Sequence, residues 1–214
     1  MATVTLSFDN GPDPEITPLV LDILGRRGLR STFFVLGDKL RDPARRALCE
    51  RAHAEGHWIG NHTFNHLVPL GVSPDPRIAD REIEQTQDLI GELAHPDRLF
   101  RPMGGGGALG AHLLNRLALE HLVSGCFSCV LWNVVPRDWE RPDGWVEPAL
   151  AECAATAWPL VVLHDIKTGA MAHLDRFLGA LADRGDRVVQ EFPPDCVPLR
   201  RGTAVSDMQP FVSG

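Results

Sequence analysis

Tyrosine is absent from the sequence, and no apolar run reaches the length that a membrane-spanning helix needs. Basic residues are a minority, with 21 Lys and Arg against 28 Asp and Glu and a formal net charge of -7. Nucleic-acid binding requires clustered cations that neutralise phosphates, so this charge balance argues against a nucleic-acid partner. The first residues carry neither a charged leader nor the apolar core of a signal peptide. We therefore expect a cytoplasmic protein with no membrane or nucleic-acid partner.

Cysteine is too scarce and too scattered for a disulfide framework. The chain has five, an odd number: Cys49, Cys126, Cys129, Cys153 and Cys196. Cys126 and Cys129 form a C-x-x-C pair, but within an apolar, strand-like run their odd separation places the two side chains on opposite faces. We interpret all five as reduced thiols.

The length of 214 residues favours a single domain that needs no disulfide or structural metal for stability, so any metal is expected to be functional. Short apolar runs alternate with stretches of helical periodicity along the chain. Strands are predicted at the N-terminus and near residues 32–36, 57–60, 98–101, 129–135, 160–163 and 187–191. Helices are predicted near residues 13–28, 43–55, 78–94, 108–122, 143–157 and 170–184.

This strict alternation favours an α/β fold with parallel strands joined by crossover helices. About seven strands are enough for an open doubly wound sheet or for a slightly incomplete barrel. We expect residues 1–192 to form the domain. Residues 193–214 are rich in proline and weakly periodic, so we expect a surface-bound or partly disordered C-terminal tail.

Polar side chains follow the ends of five predicted strands. They are Asp9, Asn10, His62, His66, Arg101, Asp138 and His164. The carboxyl ends of parallel strands lie at one edge of the fold and hold loop residues in a common crevice. We therefore expect the functional site at this edge.

His62 and His66 are candidate metal ligands. Their i, i+4 spacing places two imidazoles on one face of a helical turn, as zinc or a similar metal requires. The spacing alone is weak evidence, because His53 and His57 repeat it. The acidic strand exit at residues 9–10 is the natural source of a third ligand.

Asp9 and His164 are candidate proton-transfer groups. A metal with an open position polarises an amide carbonyl and activates water, and such a site needs a base and an acid for the leaving amine. Asp9 and His164 could fill these two roles. Taken singly, Asp9 could instead be a turn former and His164 a hydrogen-bonded core histidine.

The motifs, in this order, resemble those of the polysaccharide deacetylase family, carbohydrate esterase family 4, also called the NodB homology domain. Ser7–Pro12 is similar to the family's T-F-D-D-G-P, and His62–His66 to its H-[ST]-x-x-H. Arg101–Gly105 matches R-P-P-Y-G in part. Val135–Trp139 is similar to D-x-x-D-W with valine at the first acid, and Leu160–His164 to L-x-L-x-H.

The resemblance implies a distorted seven-stranded (β/α) barrel that hydrolyses N-acetyl groups, usually on amino sugars, with a divalent metal. It implies that Asp9 is the general base and His164 the general acid. It implies that His62 and His66 bind the metal, with Asn10 at the position of the family's metal-binding aspartate.

The same resemblance implies roles for five further residues. Arg101 would hold Asp9 ionised, and Asp138 would orient the polar groups around His164. The backbone N–H of Gly104 would help to stabilise the oxyanion. Trp139 would form a wall of the acetyl pocket, and Leu163 would line it.

Two departures from the family pattern bear on metal and substrate. Asn10 replaces an anionic oxygen by a neutral one, so we expect a divalent metal, zinc before others, to bind with reduced affinity. Met103–Gly107 replaces Pro-Tyr-Gly by a glycine run, which adds backbone freedom and removes an aromatic platform. Without tyrosine, sugar stacking would fall to tryptophans, with Trp58, Trp132, Trp139 and Trp145 as candidates.

These residues support two hypotheses. The first is a metal-dependent hydrolase that removes N-acetyl or similar acyl groups from an amino sugar or another small N-acylated substrate. The alternative is a catalytically silent, metal-poor protein that binds a sugar or acyl ligand in the same pocket. Metal binding and hydrolysis discriminate between them.

Overall fold

The computed structural model describes residues 2–214, which form one sheet covered by helices. The strands are β1 (Thr3–Asp9), β2 (Thr32–Val35), β3 (Trp58–Asn61), β4 (Leu99–Phe100), β5 (Ser128–Cys129), β6 (Leu160–His164), β7 (Arg187–Val189), β8 (Leu199–Arg200) and β9 (Thr203–Ala204). The α-helices are α1 (Ile16–Arg26), α2 (Pro43–Ala54), α3 (Gln85–Ile90), α4 (Arg116–Ser124), α5 (Val146–Ala155) and α6 (Leu174–Asp183). A π-helical turn, Asp80–Glu84, leads into α3.

The sheet has parallel pairing from β6 through β1, β2, β3 and β4 to β5, and β7 pairs with the first residues of β1. Beyond β5 the chain bridges to β6 at Val134 and Val161, so the sheet curves back on itself. The parallel strands therefore form an incomplete, distorted barrel, and their carboxyl ends share one rim.

Burial on both faces explains the continuous apolar runs of the central strands. Every residue of β6 is buried, as are the last six of β1, because side chains alternate between the barrel interior and the helices outside. Helix α1 begins where Asp13 Oδ1 accepts the backbone N–H groups of Glu15 (2.9 Å) and Ile16 (3.0 Å). It then packs its apolar side on the sheet through residues such as Leu21 and Leu24.

Residues 193–214 differ from the expected tail. Strand β8 pairs antiparallel with β5, and β9 pairs antiparallel with β8. Leu199 is fully buried, and Cys196 and Val197 are buried beside it. The burial of these apolar groups, which the weak periodicity did not reveal, holds this segment against the barrel.

The predicted helix at 108–122 begins only at Arg116. Asn115 caps it by accepting the N–H of Ala118 at 2.8 Å. Leu114 instead exchanges backbone hydrogen bonds with the C-terminal segment, donating to Phe211 O (3.0 Å) and accepting from the N–H of Ser213 (2.8 Å). Tertiary pairing therefore overrides the helical periodicity of the residues before Arg116.

The five cysteines are free thiols, of which Cys126 is exposed and the other four are buried. Burial raises the pKa of the Cys129 thiol to about 12. Among residues 2–214, no helix combines the length and the apolar character needed to cross a membrane.

Candidate active site

A cavity of about 250 Å³ opens at the carboxyl ends of the parallel strands. Its wall contains both polar groups and apolar side chains. The polar side chains are those of Asp9, Asn10, His62, His66 and His164. The apolar side chains are those of Pro102, Trp132, Val135, Trp139, Val162 and Ile166, and the glycine loop contributes Gly104, Gly105 and Gly107.

Asp9 ends β1 and is held by a buried arginine. Arg101 follows β4, is fully buried, and donates from Nη1 to Asp9 Oδ1 at 2.7 Å. The same nitrogen donates to Ser7 Oγ at 2.7 Å, and the guanidinium lies 4.0 Å above the ring of Phe34. The other carboxylate oxygen, Oδ2, lies 3.6 Å from His62 Nε2. Arg101 thus compensates the buried charge and fixes one oxygen of Asp9, while the other remains available at the cavity.

His164 ends β6 and is held by Asp138. Its Nδ1 lies 2.8 Å from Asp138 Oδ1, and its backbone N–H donates to Asp138 Oδ2 at 3.0 Å. Since a carboxylate only accepts, Nδ1 carries the proton and Nε2 is left for the cavity. The ring of Trp139 meets His164 edge to face at 4.6 Å between centroids.

The pKa of His164 is raised above 6.5. Burial alone would lower it, but the hydrogen bond and charge of Asp138, with the charge of Asp9, outweigh that penalty. The raised pKa favours the protonated form of His164, which a proton donor requires.

His62 and His66 come together in a loop and not on a helical turn. Thr63 and His66 have φ of 68° and 55°, and this left-handed backbone turns the chain so that the two rings lie 4.7 Å apart. The N–H groups of Phe64 and Asn65 donate to Glu82 Oε2 at 2.9 and 3.1 Å. Glu82 lies on the π-helical turn and is buried, so this turn shapes the histidine loop.

Both histidines are suited to bind a metal. Burial lowers the pKa of each to about 3, so both imidazoles are neutral near pH 7. His62 Nδ1 lies 2.9 Å from Arg101 O, which fixes its proton on Nδ1 and leaves the Nε2 lone pair free. Asn10 Oδ1 is buried without a hydrogen-bond partner in the described part of the chain. Asn10 lines the same cavity as the two neutral imidazoles, so this orphaned oxygen fits a divalent metal.

The described residues contain no cluster of three or more His, Cys, Asp and Glu side chains arranged around a single ion. The third donor would be the neutral amide of Asn10, whose φ of 72° is tolerated by asparagine better than by most residues. The donor set is consequently two nitrogens and one neutral oxygen, which suits a borderline cation better than magnesium or calcium.

Asp165, which follows His164, supports the loop that carries Asn10. Its carboxyl group packs against Gly11 and accepts from Thr17 Oγ1, and its Oδ1 is buried without a partner among residues 2–214. Burial raises the pKa of Asp165 to about 7. Lys39 holds the same loop by donating to Asn10 O at 2.7 Å.

The structure brings most of the predicted site residues together. Seven line the cavity: Asp9, Asn10, His62, His66, Gly104, Trp139 and His164. Arg101 and Asp138 lie behind Asp9 and His164 and contact them directly.

Leu163 is the exception, and its predicted place in the acyl pocket is wrong. Its side chain lies in the core between sheet and helices, because neighbours on a strand point to opposite faces. Val162 lines the cavity instead. Alternate residues of a strand share a face, so the position two residues before His164 identifies Val162 as the lining residue.

Among the candidate stacking tryptophans, Trp132 and Trp139 line the cavity. Trp145 is buried against Phe177 in the outer core, and Trp58 packs on His95 away from the site. Glu82 and Asp165 were not predicted, because no local motif marks a residue that acts through a neighbouring loop.

Comparison with known proteins places this site in a family. The polysaccharide deacetylase family model matches residues 2–118. A chitooligosaccharide deacetylase from Rhizobium leguminosarum bv. trifolii is 36% identical over 164 residues, which are 76% of this chain and 71% of that protein. The chain belongs to the polysaccharide deacetylase family. The predicted family and enzyme class, a hydrolase of non-peptide C–N bonds, are thereby confirmed.

Further polysaccharide deacetylases agree with this assignment. A peptidoglycan-N-acetylglucosamine deacetylase from Bacillus cereus is 32% identical over 194 residues, covering 87% of this chain and 84% of that protein. The solved structure of T48 deacetylase with substrate is 30% identical, with a TM-score of 0.71 and coverage of 88% of both chains. These matches confirm the expected barrel fold.

Deacetylases of this family depend on a metal, and one solved relative contains a metal ion. The family 4 acetyl xylan esterase from Clostridium thermocellum in complex with a cobalt ion is 26% identical, with a TM-score of 0.70. It covers 88% of this chain and 87% of its own. This supports a metal-dependent reaction here without identifying the metal.

Proposed function

We propose that this polysaccharide deacetylase removes the N-acetyl group of an amino sugar in a small carbohydrate, with zinc held by His62, His66 and Asn10. One observation carries the proposal: a carboxylate anchored by an arginine and an imidazole anchored by an aspartate line the same cavity as two neutral imidazoles and Asn10, whose amide oxygen is buried without a partner among residues 2–214. The names of the related chitooligosaccharide and N-acetylglucosamine deacetylases support the substrate class.

Asp9 activates the water. Arg101 holds Oδ1 of Asp9, and Oδ2 takes a proton from the water. The oxygen of that water attacks the acetyl carbon at the same time. When bound, a divalent metal supplies Lewis-acid polarisation of the acetyl carbonyl.

The glycine loop stabilises the charge that develops on the acetyl oxygen. The Gly104 N–H has no acceptor within residues 2–214, and Gly104 lines the cavity. An unused backbone donor at this point can hydrogen-bond the oxyanion. In other acyl-transfer enzymes, each such donor stabilises the transition state by about 3 kcal/mol.

His164 completes the reaction. As the C–N bond breaks, Nε2 gives its proton to the leaving nitrogen, and the Nδ1–H remains hydrogen-bonded to Asp138. The products are acetate, which contains the oxygen of the water, and the free amine of the sugar.

The apolar part of the cavity matches an acetyl methyl group and the flat face of a sugar ring. Trp139, Val162 and Ile166 provide apolar surface near His164. The indole of Trp132 lies against Gly104 and is 6% exposed, so it supports the glycine loop and leaves sugar stacking to Trp139. An exposed indole surface suits a sugar ring, and Trp139 takes this part in the absence of tyrosine.

Acetate release from a panel of N-acetylglucosamine oligomers tests the proposal. Zinc-loaded wild type is expected to release acetate and free amine in equal amounts. Asp9→Asn and His164→Ala each remove one proton-transfer group, so each is expected to lower kcat at least about 100-fold. Asp183→Asn changes an exposed aspartate away from the cavity and serves as the matched control.

Full activity in either site variant would reject the assigned roles. Tight oligosaccharide binding without any hydrolysis in the metal-loaded wild type would instead support the silent binding protein.

A further inference from the structure

The glycine loop, Met103–Gly107, forms one wall of the cavity with backbone atoms. Gly105, Gly106 and Gly107 have φ of 56°, 102° and 90°, a conformation that glycine adopts readily and other residues do not. A run of glycines has no side chains to pack and loses much conformational entropy on ordering. Contacts from outside the loop must therefore fix its position.

Two ring N–H groups hold the two ends of the loop. His112 Nε2 lies 3.1 Å from Gly104 O, and Trp132 Nε1 donates to Gly107 O at 2.8 Å. A carbonyl oxygen only accepts, so His112 carries its proton on Nε2. His112 is itself tied to the loop after His66, because its backbone oxygen accepts the N–H of Gly71 at 2.9 Å.

The indole of Trp132 also supports Gly104 directly. A Cβ at Gly104 would lie 2.7 Å from Cζ2 and 2.8 Å from Cη2 of this ring, closer than real Cβ contacts. Gly104 therefore lies against the outer ring atoms of the indole with no room for a side chain. Trp132, which is 6% exposed, thus limits where the Gly104 backbone can lie along the cavity wall.

We propose that Trp132 and His112 are positioning residues that hold the Gly104 N–H where the oxyanion forms, an inference that rests on the proposed function. Oxyanion donors act only within a narrow distance range of the developing charge. The substrate carbonyl carries little charge before reaction, so a displaced donor affects the transition state more than the bound substrate. Loosening the loop should therefore lower kcat and leave KM nearly unchanged.

Trp132→Phe removes both contacts of the indole with the loop. Phenylalanine lacks the N–H that reaches Gly107 O and the outer ring atoms Cζ2 and Cη2 that lie against Gly104. We expect kcat to fall about tenfold, since the donor is displaced and not removed. We expect KM and zinc affinity to stay within about twofold, because the one hydrogen bond of the Trp132 side chain goes to the glycine loop and not to a metal donor or Asp9.

Trp158→Phe is the matched control. Its indole also donates one hydrogen bond, to Thr5 Oγ1 at 2.9 Å, and it does not line the cavity. It should leave kcat unchanged. His112→Ala tests the other end of the loop and should reproduce the kcat loss, which keeps the inference testable if Trp132→Phe folds poorly.

Backbone amide order parameters of residues 104–107, measured by nuclear magnetic resonance relaxation, give a readout that does not depend on activity. They should be lower in Trp132→Phe and His112→Ala than in wild type and Trp158→Phe. If wild type hydrolyses no acetyl group but the order parameters fall as expected, the proposed function fails and the clamp on the loop stands. Unchanged order parameters and kcat in both variants, or a rise in KM with unchanged kcat, would overturn the inference.

Discussion

Asn10 is the residue at which this site departs most from a charged metal centre. Its amide oxygen is buried and unpartnered, and the two histidines beside it are neutral. None of the three candidate ligands, Asn10, His62 and His66, carries a negative charge. The carboxylate of Asp9 does, but it is hydrogen-bonded to Arg101. Metal affinity should consequently be limited by residue 10.

Asn10→Asp is expected to tighten zinc binding. A contribution of about 1.4 kcal/mol from the added charge corresponds to about tenfold in Kd, measurable by calorimetric titration. Asn115→Asp makes the same change at a helix N-cap away from the cavity and should leave zinc affinity unchanged. Equal affinities of Asn10→Asp and wild type would show that residue 10 does not contact the metal.

Asp138 tunes the proton donor. The pKa of His164 is raised because Asp138 outweighs the effect of burial, so Asp138→Asn should lower that pKa. A general acid must be protonated, so kcat/KM falls as the pH rises through its pKa. The alkaline limb of the pH profile should therefore move to lower pH in Asp138→Asn, and kcat should fall at least about tenfold. An alkaline limb at the wild-type position would mean that another group is the acid.

At the level of single residues, the sequence predicted the site residues that follow parallel strands within a recognisable motif. The prediction that Leu163 lines the acyl pocket was wrong, because a motif gives the order of residues along the chain but does not say which face of the strand each side chain occupies. Trp132 could be suspected only as an aromatic group, since its bond to Gly107 connects loops 25 residues apart. Asp165 gave no signal, because its partners Gly11 and Thr17 lie far away along the chain, Thr17 by 148 residues.

The element that positions the metal donors is the π-helical turn before α3. Glu82 on this turn accepts hydrogen bonds from two backbone N–H groups of the histidine loop, residues 62–66. A carboxylate accepts such hydrogen bonds more strongly than a neutral amide. The loop contains two left-handed, non-glycine residues, Thr63 and His66, each of which costs about 1 kcal/mol. Glu82 thus stabilises a conformation that the loop would not adopt alone.

Glu82→Ala is expected to weaken zinc binding about tenfold, because the loss of a group that orients metal ligands costs 10- to 100-fold in other sites. Glu84→Ala, on the same turn but paired with His121 at the surface, is the matched control. Zinc titration measures both. Wild-type affinity in Glu82→Ala would show that the histidine loop is fixed by other contacts, such as the Asn61 side chain that accepts the Thr63 N–H.

Element type was predictable where local periodicity and tertiary packing agree. They agree for α1, α2 and α6 and for the buried strands β1 and β6. They disagree before Arg116, where the backbone of Leu114 pairs with the C-terminal segment, and after residue 192, where the β8–β9 hairpin continues the sheet. Both differences come from contacts between segments far apart in sequence.

At the scale of the whole molecule, the barrel contains a buried carboxyl group, that of Asp165, next to the rim that carries the candidate site. Burial raises the pKa of Asp165 to about 7, well above the ordinary value of 3.8. Between about pH 4 and 7 the unfolded chain ionises this group while the folded chain keeps it protonated. Folding therefore takes up a proton, and the contribution of Asp165 to stability decreases as the pH rises through this range.

Asp165→Asn should remove this pH dependence. The difference in Tm between variant and wild type is expected to shift in favour of the variant from pH 4 to 7 and to stay constant above, as measured by thermal unfolding. Asp183→Asn, which changes an exposed aspartate, should show no such shift. A constant difference for Asp165→Asn across the whole range would contradict a buried neutral carboxyl group.

The most direct test of the account follows the oxygen of the attacking water. Zinc-loaded protein is mixed with an N-acetylglucosamine oligomer in water enriched in the heavy oxygen isotope, and the products are analysed by mass spectrometry after a single turnover. The account predicts acetate with one heavy oxygen, one free amine per acetate, and labelled acetate released at least about 100-fold more slowly by Asp9→Asn. Unlabelled acetate, or equal rates of labelled acetate release by wild type and Asp9→Asn, would contradict it.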